Sequence, residues 1–183
     1  MKKSLLLVTA AAIMGLASCD KVKDMIKFNV GVQSQKAEFT VPILTSAGEQ
    51  SLAAASIHVN IDSIIKAENS SAGVGNIKSA KVTEVILEVQ DADGDNNLAI
   101  VESAKVMLSS DTKTEMVTIA ELTGNPDEYK TTITLPANAN VDLADYLKAS
   151  TYSYTLWVNT RRGTTKELHC KAIIKYDLVV GLE

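Results

Sequence analysis

The stretches YSYTLWV (residues 152–158) and LHCKAIIKYDL (residues 168–178) decide the fold class of this chain. In both, apolar side chains occupy every second position, which is the period of a β-strand with one buried face. Between them, Arg161, Arg162 and Gly163 favour a turn. We therefore predict two strands joined as a terminal hairpin.

The same alternation recurs along the chain and predicts eight or nine strands. Pro42 restricts the second of them to a sheet edge or a strand end. Short helices are expected around Ile64 and Ile65, capped by Asp62, and over residues 141–147. Because no strand alternates with a long helix, we predict an all-β fold, an antiparallel β-sandwich, immunoglobulin-like, with up to three short helices. The earlier strands include residues 26–32 and 37–43 as a hairpin, then 57–61, 85–89, 106–108, 117–119 and 131–135.

Residues 1–18 have the layout of a secretory signal. Lys2 and Lys3 supply a positive start, and an uncharged, mostly apolar segment follows over residues 4–18. That segment is shorter than the roughly 20 residues that a transmembrane helix requires. We therefore predict a signal peptide rather than a permanent membrane span.

The segment Leu16-Ala17-Ser18-Cys19 resembles the lipobox of bacterial lipoproteins, in which small residues precede a cysteine. The resemblance implies that Cys19 receives acyl chains such as palmitate and holds the mature chain to a membrane. Residues 19–25 would then be a lipidated tether, and residues 26–183 a single β-sandwich domain. An ordinary secretory signal with an accidental cysteine is the alternative.

The chain is also similar in character to the small β-rich envelope lipoproteins of Bacteroidota. In enteric bacteria, Asp20 directly after the lipidated cysteine resembles an inner-membrane retention signal. In Bacteroidota, acidic residues near that position resemble a surface-export signal. We expect a cell-envelope protein at the outer membrane, on its periplasmic or surface face, rather than at the inner membrane.

Charge and cysteine content exclude some functions. The chain has 18 basic and 22 acidic residues, a net charge of −4, and no basic cluster beyond Arg161 and Arg162, which argues against nucleic acid as a partner. Of the two cysteines, Cys19 is assigned to the lipid, so Cys170 has no partner for a disulfide. Its place in the alternation predicts a buried side chain rather than a reactive thiol.

An acidic loop, residues 91–102, is the one motif with metal chemistry. Its spacing resembles an EF-hand calcium loop, because carboxylates stand at positions 1, 3, 5 and 12. Asn96 replaces the usual glycine of position 6, and a strand rather than a helix precedes the loop, so a grafted Ca²⁺ loop and a solvated turn both stay open. The candidate ligands are Asp91, Asp93, Asp95, Asn97, through its carbonyl, and Glu102.

We predict no enzyme, since neither His58 nor His169 belongs to a known catalytic pattern. A hydrolase using Glu84 and Glu88 is the remote alternative, although these fit the polar face of a strand. The leading hypothesis is a lipid-anchored, non-catalytic module for binding, adhesion or scaffolding, whose partner is an envelope protein or a glycan. A calcium-stabilised envelope domain is the second.

Trp157 is the only tryptophan and stands out of phase with its apolar neighbours. Facing outward beside Arg161 and Arg162, it would anchor a partner. Packing against a second sheet or a helix is the alternative reading of the same residue.

Overall fold

A computed structural model of the chain describes residues 27–33, 37–56, 60–149 and 151–182. The predicted signal peptide, the whole predicted tether including Cys19, and His58 lie outside the described residues. The strands are β1 (Lys27–Gln33), β2 (Ala37–Val41), β3 (Gly48–Ser56), β4 (Ile77–Val89), β5 (Val101–Ser110), β6 (Val117–Leu122), β7 (Thr132–Leu135), β8 (Tyr152–Thr160) and β9 (Leu168–Gly181).

The strands form two antiparallel sheets, which confirms the predicted all-β sandwich. One sheet has five strands in the order β1, β9, β4, β7, with β2 also paired to β9, and the other has the order β3, β8, β5, β6. β1 and β2 pair with successive parts of β9, so together they fill one strand position. Each sheet therefore has four strand positions, and most connections pass from one sheet to the other. This strand order is the double Greek key of a jelly roll.

This strand order corrects three details of the prediction. An immunoglobulin sandwich pairs its first two strands, whereas here β1 and β2 both pair with β9. The predicted hairpin over residues 26–43 is therefore wrong. The terminal hairpin is also wrong, because β8 and β9 belong to different sheets. Among the described strands, β5 and β6 alone are both consecutive and paired.

The α-helical segments are short and lie outside the sheets. Helix α1 (Ile61–Glu68) begins one residue after Asn60, whose side chain accepts from the backbone N–H of Ser63 at 2.9 Å. Asn60 is thus the cap that we had assigned to Asp62, and Ile61 lies in this helix rather than in a strand. Helix α2 (Ala144–Leu147) falls within the predicted helical segment. Neither described helix has the length and apolar character needed to cross a bilayer.

The core lies between the sheets and is built by the alternation read from the sequence. In β8, Tyr154, Leu156 and Val158 are buried in the core, Trp157 between them is half-buried, and Thr155 is buried as well. Cys170 is buried at 6% exposure on the inner face of β9 and is a free thiol, as predicted. Burial raises the pKa of this thiol to about 12, and the nearby Asp91 charge acts in the same direction, so the thiol is protonated at neutral pH.

Candidate functional site

The outward face of the four-stranded sheet carries the only tryptophan of the chain. Cross-strand register sets Ser51 of β3, Trp157 of β8, Lys105 of β5 and Glu121 of β6 in one row. Trp157 faces outward because its neighbours in the strand face the core. A depression of about 390 Å³ opens beside it. We call it the Trp157 groove, lined by Glu49, Ser103, Ala104, Lys105, Glu121, Trp157, Val158 and Asn159.

A cation already sits over the indole ring in this groove. Lys105 Nζ lies 5.6 Å from the Trp157 ring centroid and 3.7 Å from Glu49 Oε1. The indole face carries partial negative charge, so the arrangement is a cation–π contact supported by a carboxylate. The indole N–H is buried and has no hydrogen-bond partner in the described part of the chain.

The groove is acidic. Glu49 and Glu121 line it, and Glu102 adjoins it by accepting from Asn159 Nδ2 at 3.0 Å. Lys105 is the one cation among the lining residues. Carboxylates therefore outnumber the ammonium at this face, which favours positively charged groups.

The aspartates of the acidic loop predicted as a calcium site lie elsewhere, where β4 ends and β9 begins. Asp91 accepts from the backbone N–H of His169 at 2.9 Å, and its other carboxylate oxygen lies 3.0 Å from His169 Nδ1. Asp93 makes an ion pair of 2.9 Å with Lys166. The hydrogen bonds from His169 hold the pKa of Asp91 below its ordinary value, and those from Lys166 and then Asn96 lower the pKa of Asp93.

No three of the acidic, histidine and cysteine side chains in the described residues converge as a metal would require. Glu102 is on β5, bonded to Asn159, while Asp91 and Asp93 are bonded to residues of the β8–β9 connection and β9. Asp95 is exposed. The calcium site stays a prediction. In this structure the Asp93 carboxylate accepts hydrogen bonds from Lys166 and Asn96.

Three buried asparagines, Asn96, Asn97 and Asn125, hold the acidic loop and the turn after it through side-chain hydrogen bonds. The sequence did not predict this structural role. Asn96 bonds to Asp93 and Thr165 through its amide nitrogen and accepts from Thr165 N at 2.8 Å. Asn97 caps the short 3₁₀ turn Leu98–Ile100 by accepting from the N–H of Ala99. Asn125 Nδ2 donates to two carbonyls at 2.9 and 2.8 Å, those of Leu98 and Val101.

Arg161 and Arg162 have partners within the chain. The Arg161 guanidinium donates to the carbonyls of Ala99, at 2.9 Å, and Val101, at 2.7 Å, and also to that of Asn125. Arg162, which is exposed, pairs with Asp127 at 2.8 Å. The N–H groups of Arg161 therefore stabilise the fold by bonding to backbone carbonyls, and Arg162 is paired with Asp127. Of the three residues predicted to bind a partner, we retain only Trp157 as the anchor of a binding site.

The two carboxylates considered for a hydrolase are on β4 and stand opposite lysines of the neighbouring strand β9. Glu84 Oε2 lies 2.5 Å from Lys175 Nζ, and Glu88 stands opposite Lys171 in register. Both glutamates are on the partly exposed face of β4. These positions match the polar strand face that the sequence offered as the simpler reading.

No family model and no curated protein matches the chain. Solved structures resemble it weakly. A chain of infectious bursal disease virus Gx strain is 10% identical over 86% of this chain and 33% of that one, with a TM-score of 0.40. The chain thus spans about a third of that protein's length. The crystal structure of FLHE is 12% identical, covering 82% and 97% of the two chains with a TM-score of 0.34. The decameric BFDV capsid protein is 11% identical, covering 86% and 100%, with a TM-score of 0.35.

Proposed function

We propose that this chain is a non-catalytic binding module, held at the cell envelope by a lipid on Cys19, that contacts its partner through the Trp157 groove. The lipobox segment, residues 16–19, supports the anchor, and the outer membrane is the membrane we expect. A module of this kind would serve adhesion or scaffolding on an envelope surface.

The observation that carries the binding site is the half-buried Trp157 on the outward face of the four-stranded sheet, where it lines a groove with two glutamates and a lysine. Among the aromatics of the described residues, Tyr152, Tyr154 and Tyr176 are buried in the core, and the half-buried Phe28, Phe39 and Tyr146 pack against it. Trp157 instead lines an open groove and leaves its N–H unpartnered. Tryptophan contributes most to binding when it lies at the centre of a contact patch.

Site-specific photocrosslinking in intact cells tests the groove. A photoreactive phenylalanine analogue is placed at Ser103, inside the groove, and in a matched chain at Thr83, an exposed position of β4 in the other sheet. We expect a discrete adduct from Ser103 that is lost when Trp157→Ala is added, and none from Thr83. Equal adducts from both positions, or none from Ser103, would overturn the binding site.

The anchor has its own test, independent of the groove. The intact chain should incorporate radiolabelled palmitate and fractionate with membranes, and Cys19→Ser should lose both properties. Label retained by the Cys19→Ser chain would refute lipidation at this residue. The photocrosslinking result does not depend on this outcome, since the groove lies in the folded domain.

A further inference from the structure

We infer that the partner presents an arginine- or lysine-bearing protein segment, and that its cationic group takes the place of Lys105 over Trp157. This inference rests on the proposed function, because it names the chemistry that the Trp157 groove accepts. In the unbound protein, the Lys105 ammonium occupies the position over the indole ring that the partner's cationic group would take. Two observations about the groove support this inference: a lysine lies over the indole ring, and carboxylates outnumber that lysine among the lining residues.

The first observation is the occupied ring face. Lys105 Nζ sits 5.6 Å from the indole centroid, so the position where a ligand cation would bind is filled by a flexible side chain of the protein. The Lys105 side chain is 39% exposed, and its carboxylate partner Glu49 is 65% exposed at a separation of 3.7 Å. An exposed pair of this separation contributes little stability, so a stronger cation can displace it.

The second observation is the excess of carboxylate. Glu121 ends the row that contains Trp157 and Lys105, and Glu49 stands opposite Asn159 in the neighbouring row of the groove. Glu121 has no ion-pair partner in the described part of the chain, and its side chain is exposed. A guanidinium stacked on the indole would therefore share the groove with a carboxylate that has no ion-pair partner among the described residues. Arginine combines planar stacking with paired N–H donors, which an ammonium cannot do.

The same charges of the lining residues separate this ligand class from others. An anionic ligand would meet Glu49 and Glu121 and would depend on Lys105 for its attraction. A neutral glycan would stack on the ring without a requirement for the carboxylates. A cationic segment, by contrast, benefits when Lys105 is removed, because its competitor leaves and the groove becomes more negative.

Fluorescence of the single tryptophan reports binding at the groove directly. The purified full chain, in mild detergent, is titrated with hexa-arginine, with hexa-glutamate and with a neutral glucose hexasaccharide. We expect a saturable change with hexa-arginine alone, weakened by salt. Lys105→Met should tighten this binding by about threefold or more, the effect expected from removing a competing exposed cation–π contact.

Glu121→Gln should weaken hexa-arginine binding by about threefold or more, through loss of an attractive charge near the ring. Glu128→Gln is the matched control, since Glu128 is exposed and lies outside the groove. It removes the same charge and should leave affinity unchanged. Circular dichroism of each variant establishes that the fold is retained.

Three results would overturn the inference: saturation by the hexasaccharide or hexa-glutamate instead of hexa-arginine, weaker binding after Lys105→Met, or equal losses from Glu121→Gln and Glu128→Gln. If hexa-arginine fails while the Ser103 crosslink persists, the groove is a binding site for another ligand class. If both fail, the proposed function fails as well.

Discussion

The hydroxyl groups of Tyr154 and Tyr176 hydrogen-bond to each other in the core, joining β8 of the four-stranded sheet to β9 of the five-stranded sheet. The two residues are 4% and 2% exposed. Each hydroxyl therefore depends on the other for the partner that water would supply outside the core. The ring of Tyr152 packs edge-on against Tyr154, with centroids 5.9 Å apart.

This pairing predicts a non-additive mutational effect. Tyr154→Phe or Tyr176→Phe leaves one buried hydroxyl without its partner, so each should lower the free energy of unfolding by about 1–3 kcal/mol. The double variant removes both hydroxyls and should cost less than the sum of the single changes. Urea unfolding of the four chains measures the coupling, and strictly additive losses would contradict the pairing.

Burial also predicts an alkaline limit to stability. Desolvation raises the pKa of Tyr154 and of Tyr176 well above the ordinary value of 10.0. The folded state thus keeps two phenolic protons that the unfolded state releases, so their contribution is present below pH 10 and is lost as pH rises above it. In absorbance at 295 nm, two of the five tyrosines should ionise only as the fold is lost. Five phenols ionising while circular dichroism is still native would refute this.

The strands were predictable from the sequence, but their partners were not. A two-residue period tells which face of β8 or β9 is buried, because the apolar side chains repeat on that face. It does not tell which strand lies alongside, and a short turn motif such as 161–163 suggests pairing of neighbours. Here β8 and β9 belong to different sheets, and β1 and β2 both pair with β9 instead of with each other, so the hairpins expected at 152–178 and 26–43 do not form.

The same limit applies to the site. The phase of Trp157 left an outward ring and packing against another element both open, and Lys105 and Glu121 come to line the same groove only through pairing of β5 with β8 and β6. Neither residue is near Trp157 in sequence. The acidic spacing of residues 91–102 was visible, but Lys166 and His169, which bond to it, come from a distant connection and strand.

The ion pair of Asp93 with Lys166 predicts a pH-dependent contribution to stability. Hydrogen bonds from Lys166 and Asn96 lower the pKa of Asp93 in the folded state. A lowered carboxyl pKa stabilises the fold above the ordinary value of 3.8 and loses its effect as pH falls below it. Asp93→Asn should therefore lower the melting temperature at pH 7 and lower it by less near pH 2, where part of this stabilisation is lost. Asp95→Asn, an exposed neighbour, is the control, and equal shifts at both pH values would contradict the expectation.

Calcium at the acidic loop would have to compete with Lys166 for Asp93. If the loop binds calcium, the Lys166→Met chain should show a larger rise in melting temperature between EDTA and millimolar calcium than the unchanged chain, because ligand binding to the folded state raises stability. Asp93→Asn should abolish the rise in both backgrounds. Identical melting with and without calcium, in the unchanged and the Lys166→Met chains, would exclude the calcium-stabilised domain.

Gly163 lets two connections approach closely. Thr164 N donates to the carbonyl of Leu44 at 2.9 Å, and Leu44 N donates to Thr164 Oγ1 at 2.9 Å, so the β2–β3 and β8–β9 connections are bonded together. A Cβ at Gly163 would collide with that Leu44 carbonyl oxygen. Gly163→Ala should therefore lower the free energy of unfolding by about 1–3 kcal/mol. Gly94→Ala is the matched change, since no heavy atom lies within 4 Å of its added Cβ, and its effect should be neutral or slightly stabilising. Thermal unfolding compares the two, and equal melting temperatures would mean that the connections do not depend on this close approach.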